Sequence, residues 1–220
     1  MSVIVGQYPG ITKDGLVLHL DASKSNSYPG SGDTWYDLSG NQNNGTLVNN
    51  PTFSSDVGGS IVFDGTNYVD TIDVSSYADL TIEMWLYDTR TFSSITSQDI
   101  LTYNGNSGSY SYGQLADFRT DGDGMYARNF GGGDGSYVSY PSNSWYRFCY
   151  VKNGDLWINN NQYFGYGLDR SYGLLSFANT RSNVSNRLTG RISNIRVYNR
   201  SLSSSEILNN YNCKKRRFGL

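Results

Sequence analysis

The run Leu80-Thr-Ile-Glu-Met-Trp-Leu-Tyr87 constrains this chain more than any other stretch. Leu80, Ile82, Met84 and Leu86 occupy every second position, with Thr81, Glu83, Trp85 and Tyr87 between them. A period of two is what a strand shows when one face lies in a core; a helix would scatter the same residues around its circumference. The run reads as a central β-strand.

Shorter segments of the same kind recur on both sides, each bounded by turn residues. Gly15–Asp21 reads as a first core strand and is followed by a long polar loop, Ala22 to Asp33, containing Tyr28-Pro-Gly30. Asn44-Gly45 opens Thr46–Val48, and Gly58-Gly59 opens Ser60–Phe63. Asp64-Gly65 then turns into Asn67–Ile72, with the spacing and turn chemistry of a hairpin. Further strands are expected at Asp99–Tyr103, Tyr110–Arg119, Gly124–Phe130, Ser136–Tyr140, Trp145–Lys152, Leu156–Asn159 and Gly190–Asn199. One segment reads as helix: Ser203-Ser-Ser-Glu206 is a capping-box pattern, with Ile207, Leu208 and Tyr211 at helical spacing after it.

Composition agrees with an all-β chain. The 220 residues include 25 Gly and 19 Tyr but only two Glu, which excludes a helical bundle. No stretch approaches the roughly 18 apolar residues of a membrane span, and Met1 to Gly10 lacks the basic and apolar regions of an export signal. Cys149 and Cys213 are too few and too far apart for a disulfide framework, so both are expected free. The net charge of −2 hides a polarity: residues 1 to 88 hold two Lys against eleven acids, and residues 170 to 220 hold ten Lys and Arg against Glu206 alone. Either the two ends match each other within the fold, as neighbouring first and last strands would, or they make a dipolar surface for assembly.

Taken in order, Gly15–Asp21, Trp35–Asn41, Asn44–Thr46, Ile61–Gly65, Tyr68-Val69, Leu80–Trp85 and Gly190–Ser203 with Glu206-Ile207 resemble the laminin G-like, concanavalin A-like jelly-roll superfamily across residues 14 to 211. The wording of Leu20-Asp-Ala-Ser23 and Asp37-Leu-Ser-Gly40 is similar to modules in virion proteins of tailed bacteriophages and other large viruses. The resemblance implies an all-β, two-sheet antiparallel jelly-roll sandwich with a short C-terminal helix. No linker-like Pro, charge block or internal repeat divides the chain, so it reads as one sandwich domain, residues 1 to 213, with a basic tail, residues 214 to 220.

Relatives that hydrolyse glycans on this fold place closely spaced carboxylates on one strand, where acid, base and nucleophile can share the work. Here the strand carboxylate is Glu83, and Asp88, five residues on, falls on the opposite face. His19, the only histidine, has no Ser or Cys elbow motif to serve. No catalytic residue is assigned and a non-enzyme is expected, with a glycan hydrolase as the third and weakest reading.

Calcium is the expected cofactor, held structurally by Asp21, Asp37, Asn41 and Asp64, with Asp33 and Asn67 as alternates; the same residues would equally cap tight turns. Asp121-Gly-Asp-Gly124 opens like a calcium loop but lacks a downstream Glu. Tyr103, Tyr110, Tyr112, Tyr126, Tyr137 and Tyr140 sit among Gly, Ser and Asn, the mixture of binding loops, although tyrosine also suits a strand with one wet face. Lys214, Lys215, Arg216 and Arg217 form a docking tail.

Two functions follow from these expectations. The first is a virion surface protein decorating a capsid or a head or tail appendage; its partners would be the major capsid protein or other virion proteins, with a trimer by analogy to capsid symmetry. The second is an extracellular, lectin-like adhesin that binds polysaccharide. Nucleic acid is not an expected partner, because the surface outside the tail is acidic and no aromatic ladder lines a basic groove, nor is a membrane, since no stretch is apolar enough to span one.

Overall fold

The computed structural model describes residues 10–89, 98–104, 112–118, 125–126, 137–138, 143–152, 155–163, 173–179 and 187–220, the four segments between 98 and 138 by backbone path. In chain order the strands are β1 (Leu16–Asp21), β2 (Thr34–Trp35), β3 (Gly45–Val48), β4 (Thr52–Ser54), β5 (Ser60–Asp64), β6 (Tyr68–Asp73), β7 (Thr81–Asp88) and β8 (Gln98–Asn104). They continue as β9 (Tyr112–Phe118), β10 (Met125–Tyr126), β11 (Tyr137–Val138), β12 (Trp145–Val151), β13 (Leu156–Ile158), β14 (Asn161–Tyr163), β15 (Leu174–Phe177) and β16 (Thr189–Tyr198). Helix α1 (Ser204–Lys214) and a 3-10 turn over Lys215–Phe218 follow.

These strands make a two-sheet antiparallel β-sandwich. The larger sheet runs β14-β13-β12-β7-β16-β5-β4, the smaller runs β2-β3-β6-β15-β8-β9, and β10 and β11 pair separately. β7 is central, as its period of two predicts: Met84 lies opposite Phe148 of β12 on one side and Ile195 of β16 on the other. Ile82, Met84 and Leu86 point into the sandwich with Leu18, Leu20, Ile61, Phe63, Phe148 and Val197. From the smaller sheet Trp35, Leu47, Val69, Leu175 and Phe177 meet them. Full burial of each such side chain contributes about 1.5–3 kcal/mol relative to leaving it in water.

The hairpin expected at Asp64-Gly65 does not form. β5 pairs with β4 and β16 in the larger sheet, whereas β6 pairs with β3 and β15 in the smaller one, so the turn carries the chain across the sandwich. The turn chemistry is present: Asp64 Oδ1 accepts from Thr66 N at 2.8 Å, and Gly65 has φ +90°. Such a turn reverses the chain without choosing its partner; Phe63 and Val69 find the same core from opposite sides.

β16 holds the larger sheet together in an unusual way. Its residues 189–192 pair with β5 and residues 194–198 pair with β1, so two strands share one edge end to end. At the seam its pairing with β7 slips between Ile192 and Asn194, a bulge that leaves the Ser193 carbonyl to accept from Ala22 N at 2.9 Å. Gly59 packs against the same point, where a Cβ would stand 2.3 Å from the Ala22 carbonyl oxygen.

Helix α1 forms a third layer on the outer face of the larger sheet. Ser203 caps it reciprocally: Ser203 N donates to Glu206 Oε2 at 2.9 Å, and the Ser203 hydroxyl accepts from Glu206 N. Ile207 packs with Cys149, Val151, Trp157, Tyr198 and Leu202. Tyr211 and Phe218 stack on Trp85, with ring centroids 5.7 Å and 4.1 Å away. Cys149 and Cys213 are not joined in a disulfide. The two ends of the chain match electrostatically within the fold: Arg191 pairs with Asp56, Arg196 with Glu83, Arg200 with Asp14, and Lys214 and Arg217 with Asp21.

Candidate functional site

The loop between β1 and β2 is held from within. Asp21, at the end of β1, accepts from Ser23 N at 3.1 Å and the Ser23 hydroxyl at 2.7 Å, and Lys24 N returns to the Asp21 carbonyl at 3.0 Å. The buried Ser27 hydroxyl donates to the Tyr36 carbonyl at 2.6 Å, while Tyr36 N donates to the Ser27 carbonyl. Tyr28 is therefore carried inward, to 3% exposure, and its hydroxyl closes the loop on the Gly32 carbonyl at 3.0 Å. Gly30 and Gly32 take φ of +100° and +101°, which a residue with a Cβ rarely adopts.

The chain returns to this loop through a second turn. Asn49 and Asn50, with φ of +62° and +52°, bend it out of β3, and Pro51 leads into the edge strand β4. Asn is the residue besides glycine that tolerates the left-handed conformation best. On β4, Phe53 lies beside Tyr28 with ring centroids 5.8 Å apart, and keeps 37% of its surface in solvent.

Between the loop and β4 lies an open hollow of about 600 Å³. Tyr28 and Phe53 supply its aromatic wall; Ser31, Asp33, Asn50 and Thr52 supply hydroxyl, carboxylate and amide groups, with Gly30, Gly32 and Pro51 completing the lining. Burial raises the Tyr28 phenol above its ordinary value, and the neighbouring Asp33 carboxylate raises it further. A ring face beside convergent hydrogen-bonding groups suits a ligand with both C–H and O–H surfaces. The sequence carried a faint signal of this place in Tyr28-Pro-Gly30 and none in Phe53, whose strand is three residues long.

The residues expected to hold calcium serve several separate structures. Asp37 Oδ1 accepts from His19 N at 2.8 Å and Ser39 N at 2.9 Å, and its Oδ2 accepts from the Ser39 hydroxyl at 2.6 Å and Asn43 N at 3.1 Å. Asn41 joins the same turn, donating to the Leu16 carbonyl at 3.2 Å. Asp64 caps its own turn, where Asn67 Oδ1 accepts from Asp64 N. Asp21 is fully buried and faces two cations, Lys214 at 3.1 Å and Arg217 at 2.8 Å. Burial by itself would raise its carboxyl pKa; Lys214 and Arg217 outweigh that and hold it well below the usual range. Among the described residues no three His, Cys, Asp or Glu come together in a group that could hold a metal ion. Asp121-Gly-Asp-Gly124 lies outside the described residues.

The basic ending is folded onto its own chain. Besides Asp21, Arg217 donates to the Gly59 carbonyl at 2.8 Å, the Val57 carbonyl at 2.5 Å and the Ser193 hydroxyl, so it closes the seam where β1 gives way to β5. Lys215 lies over the Tyr211 ring at 5.5 Å, and Arg216 is exposed. Of the expected recognition tyrosines, Tyr103 sits on β8 opposite Leu175 and Gly113, and Tyr112 begins β9. Tyr126 and Tyr137 are direct cross-strand partners in the β10–β11 ribbon. Tyr110 and Tyr140 lie outside the described residues.

Glu83 is fully buried beneath α1, where Arg147 Nη1 donates to Oε1 at 3.0 Å, Asn210 Nδ2 donates to Oε2 at 2.8 Å, and Arg196 Nε lies 3.5 Å from Oε2. His19 lies opposite Arg196 on β1. Burial, reinforced by Arg196, lowers its pKa to about 4, so the imidazole is neutral at pH 7.

No protein-family model matches the sequence, and no curated protein matches it. Solved structures do share the fold. A Trypanosoma rangeli sialidase in complex with sialic acid superposes with a TM-score of 0.70 at 15% identity, over 92% of this chain and 33% of the sialidase. Domain 4 of an extracellular GH43 arabinanase from Geobacillus stearothermophilus, in complex with arabinotriose, gives 0.59 at 14% identity, over 89% of this chain and 98% of that domain. The binding domain of Paraclostridial Mosquitocidal Protein 1 gives 0.63 at 18% identity, over 91% of this chain and 52% of that one. The chain thus spans about a third of the length of the sialidases it matches.

These likenesses correct the expectation of a non-enzyme. Sialidases and an arabinanase domain carry the same sandwich, although the relation, at 14–15% identity, is distant. None of the three is described as a virion component, and the virion reading draws no support from them.

Proposed function

We infer that this chain binds carbohydrate, and that the hollow between the β1–β2 loop and β4 is where it does so. The observation that carries the reading is Phe53: a large aromatic side chain 37% exposed on an edge strand, beside a recess of about 600 Å³ lined with hydroxyl, amide and carboxylate groups. A sugar offers C–H faces that pack on such a ring and hydroxyls that pair with Asp33, Asn50 and Thr52. The shared fold agrees with this, since one neighbour is a sialidase solved with sialic acid, another an arabinanase domain solved with arabinotriose, and a third a binding domain.

The test is retention of the full chain on an array of oligosaccharides, arabinotriose among them, in parallel with Phe53→Ala. Loss of the ring contact removes roughly 1–1.5 kcal/mol, or about tenfold in affinity. Circular dichroism of the variant confirms that the fold is kept. Glycan retention unchanged by Phe53→Ala would remove the site, and no retention of any glycan would remove the function.

A further inference from the structure

The geometry points to neutral sugars as the ligands of this hollow, with anionic ones rejected; the inference rests on the carbohydrate-binding reading of the same site. Among the described residues Asp33 is the charged member of the lining, which holds no Lys or Arg. Lys24, in the same loop, is exposed and lies outside the lining. It is also the single base between residues 14 and 89, against eleven Asp and Glu in that window.

Two bases at the larger sheet are engaged within the fold. Arg217 is turned onto Asp21 and the Gly59 and Val57 carbonyls, and Arg191 is paired with Asp56. Asp33 thus places a negative charge in the lining, beside the Tyr28 phenol, which burial raises first and the Asp33 carboxylate raises further. A carboxylate of this kind accepts hydrogen bonds from neutral hydroxyls and repels the carboxylate of a sialic or uronic acid. Recognition of an anionic sugar needs the opposite arrangement, a guanidinium or ammonium directed into the site.

The experiment is an array holding neutral, sialylated and uronic-acid oligosaccharides, read at low and high salt with the unmodified chain, Asp33→Asn and Phe53→Ala. Like charges held apart at a wet surface predict retention of acidic glycans about 3–10-fold below that of neutral ones at low salt. The gap closes in Asp33→Asn and narrows at high salt, where surface charges are screened. Acidic glycans bound as well as neutral ones by the unmodified chain, with binding lost in Phe53→Ala, overturn the charge selection and leave the carbohydrate site standing. Absence of any retention that depends on Phe53 overturns both.

Discussion

The larger sheet buries both of its faces, and by different chemistry. On the inner face Ile82, Met84, Leu86 and Phe148 meet the smaller sheet in a dry, apolar layer. One residue along in the same strands, the outer face presents Glu83, Trp85, Arg147 and Cys149, with Arg196 from β16, all fully buried beneath α1 and the 3-10 turn. The apolar contacts of the inner face are non-directional and tolerate any side chains of fitting volume. The outer face is directional: Arg147 donates to Glu83 and to the Ile207 carbonyl of α1 at 2.6 Å, and Asn210 of α1 donates to Glu83. One face holds two sheets together; the other specifies where a helix sits. Charge on this chain is thus substantially structural, a reading that concentration of acids at one end and bases at the other leaves open in the sequence.

The largest effect that separates the two faces is expected at Glu83. Glu83→Leu leaves Arg147 and Arg196 buried without a counter-charge, and Arg196, whose three nitrogens find no hydrogen-bond acceptor among the described residues, has Glu83 as its ion-pair partner. Burial disfavours the Arg196 charge, and Glu83 restores it. The expected cost is about 3–5 kcal/mol in urea unfolding. An inner-face truncation, Phe148→Ala, costs about as much through the cavity it opens. The two are told apart by compensation: Glu83→Leu combined with Arg147→Met and Arg196→Met recovers most of the loss, because an apolar layer of similar volume replaces the charges. A Glu83→Leu variant within about 1 kcal/mol of the unmodified chain would contradict the account of the outer face.

Next in size is the seam along β16, where the two faces share a backbone defect. Gly59 adopts φ +143°, and an added Cβ would meet the Ala22 carbonyl oxygen at 2.3 Å. Gly59→Ala is expected to destabilise by about 3 kcal/mol, strain and clash together. Gly30→Ala is the control: φ is +100° but nothing lies within 4 Å of its Cβ, so strain acts alone, at about 1–2 kcal/mol. Equal costs in thermal unfolding would mean that the seam is not close-packed.

Much of this architecture was legible in the sequence. The alternation of Leu80–Tyr87 gives both faces of β7 correctly, and the Ser203–Glu206 capping box gives the start of α1. Both signals are local, set by neighbours within a few residues. What could not be read is long-range or very short. β15, Leu174–Phe177, lies between β6 and β8, yet four residues show no period. Asp21 looked like an oxygen ligand because nothing near it in sequence reveals Lys214, 193 residues away, as its partner. The hollow depends on Tyr28 and Phe53 meeting across 25 residues and two turns, and only Tyr28-Pro-Gly30 carries a faint signal of it in the sequence.

A smaller, pH-dependent effect distinguishes the faces further, since the histidine belongs to the outer one. His19 has its pKa lowered from 6.5 to about 4 by burial and by Arg196 and Lys214, against the raising influence of Asp21 and Asp37. A group whose folded pKa is depressed binds its proton more readily when unfolded, so its contribution is full above pH 6.5 and is lost as pH falls toward 4. The size is about 2–3 kcal/mol across that window. Asp21, also held low, acts in the same direction below the ordinary carboxylate range, which keeps the two contributions apart. His19→Gln is expected to flatten the stability profile between pH 6.5 and 4 and leave the acid limb in place. An unchanged slope in that window would place the imidazole in solvent.

The smallest effect tests whether the third layer is part of the same cooperative unit. Ser203→Ala removes the hydroxyl that receives Glu206 N and costs about 1 kcal/mol, a factor of roughly five in opening. Arg200 remains on Glu206 at 2.5 Å, so the change is confined to the cap. Undocking α1 alone would expose Glu83, Arg147 and Trp85 at once, stripping the carboxylate of Asn210 and the guanidinium of the Ile207 carbonyl. Such partial opening is costly enough that the helix and the central strand should unfold together. Hydrogen exchange is therefore expected to accelerate about fivefold both for α1 amides and for those of β7. Acceleration restricted to α1 would make the outer layer a separate unit, and the two faces of the sheet would then differ in cooperativity as well as in chemistry.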